Sequence, residues 1–108
     1  MNNTVNLILN TLGNDEYNFY DDVYSACDQM EQIKSIEQFS DLKWEAVIPH
    51  IDQILFEYNE GCCEDGIDTI GVYEFKKLFQ KTQFAAVKFL QSEAMRDFWK
   101  KIQKDELR

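Results

Sequence analysis

WEAVIPHIDQILFEY, residues 44–58, is the stretch that decides the fold. Its apolar residues Trp44, Val47, Ile48, Ile51, Ile54, Leu55 and Tyr58 recur at steps of three and four. That spacing lines one side of a helix, whereas a strand would scatter the same residues over both faces. Pro49 falls in the middle, lacking the N–H that would bond to the Glu45 carbonyl and crowding that carbonyl with its ring. The stripe nevertheless crosses Pro49 in register. It predicts a kinked helix, or two helices meeting near Ile48.

The helical period continues on both sides. Val5, Ile8, Leu9 and Leu12 predict a short first helix, capped by Asn3 or Thr4 and stopped by Gly13. A second helix, capped by Asn14 or Asp15, is expected to turn Tyr17, Tyr20, Val23, Tyr24, Cys27 and Met30 inward, with Phe19 widening that stripe. Residues 33–40, IKSIEQFS, read as a connector with at most a helical turn, ending in Ser40 as a cap. After the proline-containing segment, Gly61 is expected to close the helix. A fourth helix starting at Asp68 or Thr69 places Val72, Phe75, Leu78 and Phe79 inward and runs on through Phe84, Val87 and Leu90. Ser92 caps a last helix with Met95, Phe98, Trp99 and Ile102 inward and Arg96, Lys100, Lys101 and Lys104 outward. No long stretch alternates as a strand would. The expected fold is all-α, a single domain over residues 1–108 built as a bundle of about five helices.

Composition agrees. A chain of 108 residues suits one domain, and 44% hydrophobic residues with 14% aromatics supply a core. One proline and four glycines leave few of the turns that a β-sandwich needs. The opening, MNNTVNLILNTLG, lacks the cationic start and sustained apolar run of a secretory leader. No segment approaches the ~20 apolar residues of a membrane span. Three cysteines, two of them adjacent, do not suit a secreted disulfide framework. A cytoplasmic, reduced chain is expected.

The stretch NEGCCEDGID, residues 59–68, concentrates two cysteines, two glycines and four carboxylates. A calcium loop needs oxygen ligands at positions one, three and five, glycine at six and glutamate at twelve. With Gly66 at six, Gly61 and Cys63 take ligand positions and Val72 takes the twelfth; with Gly61 at six, Phe56 comes first and Ile67 twelfth. Neither frame works. Structural zinc prefers spaced Cys and His pairs, and Cys27, Cys62, Cys63 and His50 contain none. A disulfide between adjacent cysteines is strained, and nearby carboxylates raise a thiol's pKa and oppose a reactive thiolate. Cys27 reads as a small core residue, His50 as a surface or capping residue. No metal site, cofactor site or catalytic constellation is therefore expected: there is no triad, no nucleophile elbow and no phosphate-binding glycine loop. The loop reads as an acidic turn.

The net charge of −9 is unevenly placed. Residues 1–75 hold sixteen acids against Lys34 and Lys43, a balance of −14, and residues 76–108 hold nine bases against four acids, +5. The acidic field repels nucleic acid and anionic membranes, and opposes direct nucleic-acid binding through Lys76, Lys77, Lys81, Lys88, Lys100, Lys101 and Lys104. It attracts basic surfaces. Asp21, Asp22, Asp28, Glu57, Glu60, Glu64, Asp65 and Asp68 are the candidate partner-binding residues, with Tyr17, Tyr24, Tyr58 and Tyr73 interleaved and expected in the core.

In size, acidity and helical content the chain resembles the bacterial immunity proteins that neutralise nuclease toxins. The resemblance implies a binding protein that occludes a basic partner; it rests on bulk properties and assigns no residues. Two alternatives are a phage-type nucleic-acid mimic that blocks a restriction or CRISPR enzyme, and a structural adaptor whose basic last helix meets its own acidic body. Elemental analysis of protein purified without chelator is expected to find no stoichiometric zinc or calcium. One equivalent of zinc, lost on Cys62→Ser with Cys63→Ser, is the result that would reverse the reading of the loop.

Overall fold

Short polar side chains set where the helices begin. The computed structural model describes residues 3–64, 66 and 69–106, the side chains of 62–64 and 102–106 lying outside that description. Its helices are α1 (Asn3–Thr11), α2 (Glu16–Ser25), α3 (Gln29–Asp41), α4 (Trp44–Val47), α5 (Ile51–Glu64), α6 (Val72–Leu90) and α7 (Glu93–Glu106). Asp15 Oδ1 accepts the Asn18 N–H at 2.9 Å to start α2, and Asp28 Oδ1 accepts the Glu31 N–H at 3.1 Å to start α3. Ser92 Oγ accepts the Met95 N–H at 3.3 Å at the head of α7. At the head of α6, Glu74 reaches back to take the Gly71 N–H at 3.1 Å, half of a capping box.

α4 is a single turn, and Ile48–His50 continues it as a 3-10 turn into α5. Pro49 sits in that turn, where its missing donor does not interrupt a long α-helical ladder. The 3-10 turn replaces the α-helical ladder at Pro49, but the backbone stays helical from α4 into α5, so the three segments form one rod. The chain thus folds as six helical rods with no strand among the described residues.

Residues 33–40 are no connector. They form most of α3, a 13-residue helix whose Ile33, Ile36 and Phe39 are fully buried. Only three strongly apolar residues at i, i+3 and i+6 mark that inner face, too sparse a stripe to announce a central helix. Ser40 caps nothing downstream: its Oγ donates to the Glu37 carbonyl within α3, and Lys43 stands before α4 without a side-chain cap. Gly61 does not close α5, which runs on to Glu64. The fourth predicted helix begins later, at Val72, and Val72, Phe84 and Val87 face solvent while Thr82, Ala86 and Phe89 join Phe75 and Phe79 inside. Ile48 is also half exposed. Ile102 and Lys104 have side chains outside the described residues.

The inner faces of α3 and α6 meet at the centre. Phe39 packs edge-on against Phe79 at 5.3 Å, and Trp44 tilts over Phe79 at 5.8 Å. At the end of α3, Gln83 of α6 donates its side-chain amide to the carbonyls of Phe39 (3.1 Å) and Leu42, supplying partners for acceptors that a helix leaves open at its C-terminus. Buried Thr82 makes a second polar link. Its Oγ1 donates to the Leu78 carbonyl at 2.9 Å and accepts the Gly13 N–H at 3.2 Å. Gly13 has φ +88°, the left-handed turn that ends α1 and aims that N–H at α6. Asn59 pins α5 to the approach to α6, donating to the Ile70 carbonyl at 3.0 Å and accepting its N–H at 2.9 Å.

Phe79 is 1% exposed at the middle of this packing, whereas Leu55 is only partly buried. Phe79→Ala is expected to cost about 3–5 kcal/mol in denaturant melts, with Leu55→Ala costing less because part of that side chain already faces water. Tyr17→Ala, on the surface, should stay within about 0.5 kcal/mol. Equal losses at Phe79 and Tyr17 would contradict this placement of the core.

Candidate interaction surface

The predicted acids fall into two groups on different helices. Asp21 is exposed on α2, while the half-buried Asp22 beside it accepts the Asn14 side-chain amide through Oδ2 at 3.1 Å. Asp28 spends one carboxylate oxygen on capping α3. Glu57, half-buried, and Glu60, exposed, stand almost one turn apart on α5. The Glu64 side chain, Asp65 and Asp68 lie outside the described residues. α2 packs on α3 and α6, and α5 packs on α1 and α6, so the two groups occupy different parts of the bundle. Of the predicted acids among the described residues, Asp21 and Glu60 are exposed and cap no helix.

The sharper feature is one that the periodicity misplaced. Tyr17, Tyr20 and Tyr24 are 81%, 40% and 44% exposed, and Cys27 is exposed beyond the end of α2. Phe19 and Val23, both fully buried, form the inner side of α2 instead. Five apolar or aromatic residues in a short helix allow two overlapping stripes, and tyrosine fits either side because its ring is apolar and its hydroxyl is not. The cue that separates the stripes is the hydroxyl: the residues without a polar atom, Phe19 and Val23, point inward. Tyr73 is likewise exposed, and only Tyr58 is drawn in, edge-on to Phe75 at 6.5 Å.

Positions 17, 20, 21 and 24 share one helical face, so three tyrosines and Asp21 form a single outward surface. Its rings are held. Tyr20 stacks on Tyr24 at 4.3 Å, and Tyr24 meets the edge of buried Phe98 of α7 at 6.0 Å. The Tyr24 hydroxyl is pushed above the ordinary tyrosine range, first by partial desolvation, then by the Tyr20 hydroxyl and by the negative field of Asp97 on α7. The surface therefore combines large rings in fixed positions, phenolic donors and negative charge. Such a set favours guanidinium and ammonium groups, which stack on rings and bond to carboxylates.

A cleft of about 350 Å³ opens between α1, α3 and the start of α2. Asn3, Asn10, Asn14, Gln32 and Gln38 line it over Leu7 and Ile36, and none of its lining residues carries a carboxylate, imidazole, thiol or amine. Among the described residues, no three His, Cys, Asp or Glu side chains gather where they could hold a metal ion. No helix among them is long and apolar enough to cross a membrane.

Because its folded-state pKa is raised, Tyr24 favours folding in its neutral form. That contribution is present below the ordinary value near 10.0 and is lost as pH rises through the folded value. In a spectroscopic titration of the phenols, Tyr24→Phe is expected to remove a transition from the alkaline end of the series. Removal of a transition at the ordinary position would show that Tyr24 does not sit in this environment.

No protein-family model matches the chain, and no curated protein or solved structure matches it, so the surface itself carries the functional argument.

Proposed function

We propose that this chain is a small acidic binding protein, not an enzyme, whose α2 face occludes a basic protein in the cytoplasm. The observation that carries the reading is the outward set Tyr17, Tyr20, Asp21 and Tyr24, in which Tyr20 and Tyr24 stack on each other and Tyr24 is held by Phe98. Tyrosines ordered before binding lose little entropy on contact, and tyrosine is among the residues that dominate interface energetics. The balance of −14 over residues 1–75 adds long-range attraction for a cationic surface. A nuclease toxin is the partner class that fits best, since proteins that handle nucleic acid present dense Arg and Lys surfaces. Glu57 and Glu60 extend the acidic field on α5.

The test begins with a pull-down from the native host, followed by surface plasmon resonance between the captured basic protein and three variants. Tyr20→Ala with Asp21→Lys is expected to weaken binding by about 2 kcal/mol or more, roughly thirtyfold, as at an interface hot spot. Glu57→Lys with Glu60→Lys should act mainly through a slower, salt-dependent on-rate. Glu37→Lys, the same charge change as Asp21→Lys but on the exposed side of α3, serves as control. If the α3 control is as damaging as the α2 variant, net charge governs binding and the α2 face is not the site.

A further inference from the structure

The outer side of α6 carries a second organised surface, opposite in sign to the first. Tyr73, Lys77, Phe84 and Lys88 follow at intervals of four, seven and four, which keeps them on one face for about 22 Å at the helical rise. Tyr73 is 68% and Phe84 64% exposed, with Val87 beside them also in water. The Lys77 ammonium lies 4.4 Å from the Tyr73 ring centroid, and the Lys88 ammonium 4.8 Å from that of Phe84. Lys81 is exposed between the two pairs. α6 holds four lysines against Glu74, whose carboxylate is taken by the Gly71 N–H. α2 with its cap holds Asp15, Glu16, Asp21 and Asp22 and no base.

We propose that the outer face of α6 is a self-assembly surface that docks head to tail on the α2 face of a second copy of this chain. Within one molecule the two faces cannot meet. α2 already packs its inner side against α6, with Phe19 stacked on Phe89 at 6.0 Å, so the outward sides point away from each other. Between molecules they are complementary in charge and alike in aromatic content. Lysines poised over rings on α6 find further exposed rings on α2, and Asp21 supplies a carboxylate among them. A nucleic-acid strand would bring charge of one sign along its whole length to a body of −9. A second copy instead confines its carboxylates at the contact to one patch and carries its own lysine stripe. Long-range repulsion between two such bodies is screened to about 8 Å at ~0.15 M salt, while the close contacts are screened less. Because the two surfaces differ, the interface is heterologous and repeats into a ring or an open chain. Assembly uses the same α2 face as the proposed partner site but does not depend on a partner. It would cover that face until a basic protein competes for it.

Light scattering after size exclusion, with the protein alone at ~0.15 M salt and over a wide concentration range, tests the proposal. One variant removes the α2 face (Tyr20→Ala with Asp21→Lys) and another the α6 face (Phe84→Ala with Lys88→Glu). Wild-type mass is expected to rise past the dimer with concentration, each variant alone to stay monomeric, and their equimolar mixture to stop at the dimer, since each retains one intact face. Circular dichroism checks that both variants keep their helices; should either lose them, Asp21→Lys and Lys88→Glu as single changes replace the pairs. A wild type that is monomeric at every concentration overturns the proposal. So does a dimer that the mixture fails to restore, or an absence of assembly together with binding of a labelled oligothymidylate that the α6 variant abolishes. The first of these results leaves the partner reading standing, because the resonance experiment measures it separately.

Discussion

α3 and α6 are joined by ring packing and by a polar clasp at the same point, and the remaining helices take their positions from that joint. Phe39 and Phe79 meet edge-on, and directly beyond them Gln83 donates to the carbonyls of Phe39 and Leu42. The rings contribute non-directional burial, which by itself would tolerate a sliding of one helix along the other. The amide removes that freedom, because its hydrogens must reach two carbonyls at the end of α3. One residue earlier, Thr82 binds the Gly13 N–H and so places the turn between α1 and α2. A single turn of α6 thereby registers α3 through Gln83 and the α1–α2 corner through Thr82.

That registration decides which side of α2 is wet. Once α3 and α6 take up Phe19 and Val23, no helix remains to cover the opposite side, and Tyr17, Tyr20 and Tyr24 are left outward. The exposure is ordered exposure. Stacking between Tyr20 and Tyr24 and the edge of Phe98 fix two of the rings, so a surface feature inherits rigidity from the core and from α7. The raised Tyr24 hydroxyl has the same origin, since the neighbours that hold the ring also remove water from it and place Asp97 nearby.

Charge in this chain is segregated along the sequence, and the fold preserves the segregation. The acids of residues 1–75 stand against the lysines of α6 and α7. Two of the predicted acids are spent locally, Asp22 on Asn14 and Asp28 on the start of α3, which shifts the weight of any contact toward Asp21 and the tyrosines around it. On α6 the lysines lie over Tyr73, Phe84 and Trp44. Both charged faces thus carry rings, and a ring accepts apolar contact and cations alike. This mixture suits recognition between proteins better than a purely ionic surface would.

Local chemistry was legible without tertiary structure wherever it needed only near neighbours. The helical character of 44–58, the break at Pro49, the stops at Gly13 and caps at Asp15 and Ser92, and the inward Phe75, Phe79, Met95 and Phe98 all follow from periodicity and capping within a few residues. The acidic body was equally plain. Tertiary structure alone decided the rest. α3 becomes a central helix because α6 offers Phe79 and Gln83 to it across forty or more positions of chain, a partnership that no local window contains. The tyrosines of α2 are a surface because Phe19 and Val23 compete better for the same inner space, burying no hydroxyl. Amphipathic rings satisfy either side of a helix by pattern, so only the identity of the neighbouring helices determines which stripe is buried and which is offered to a partner.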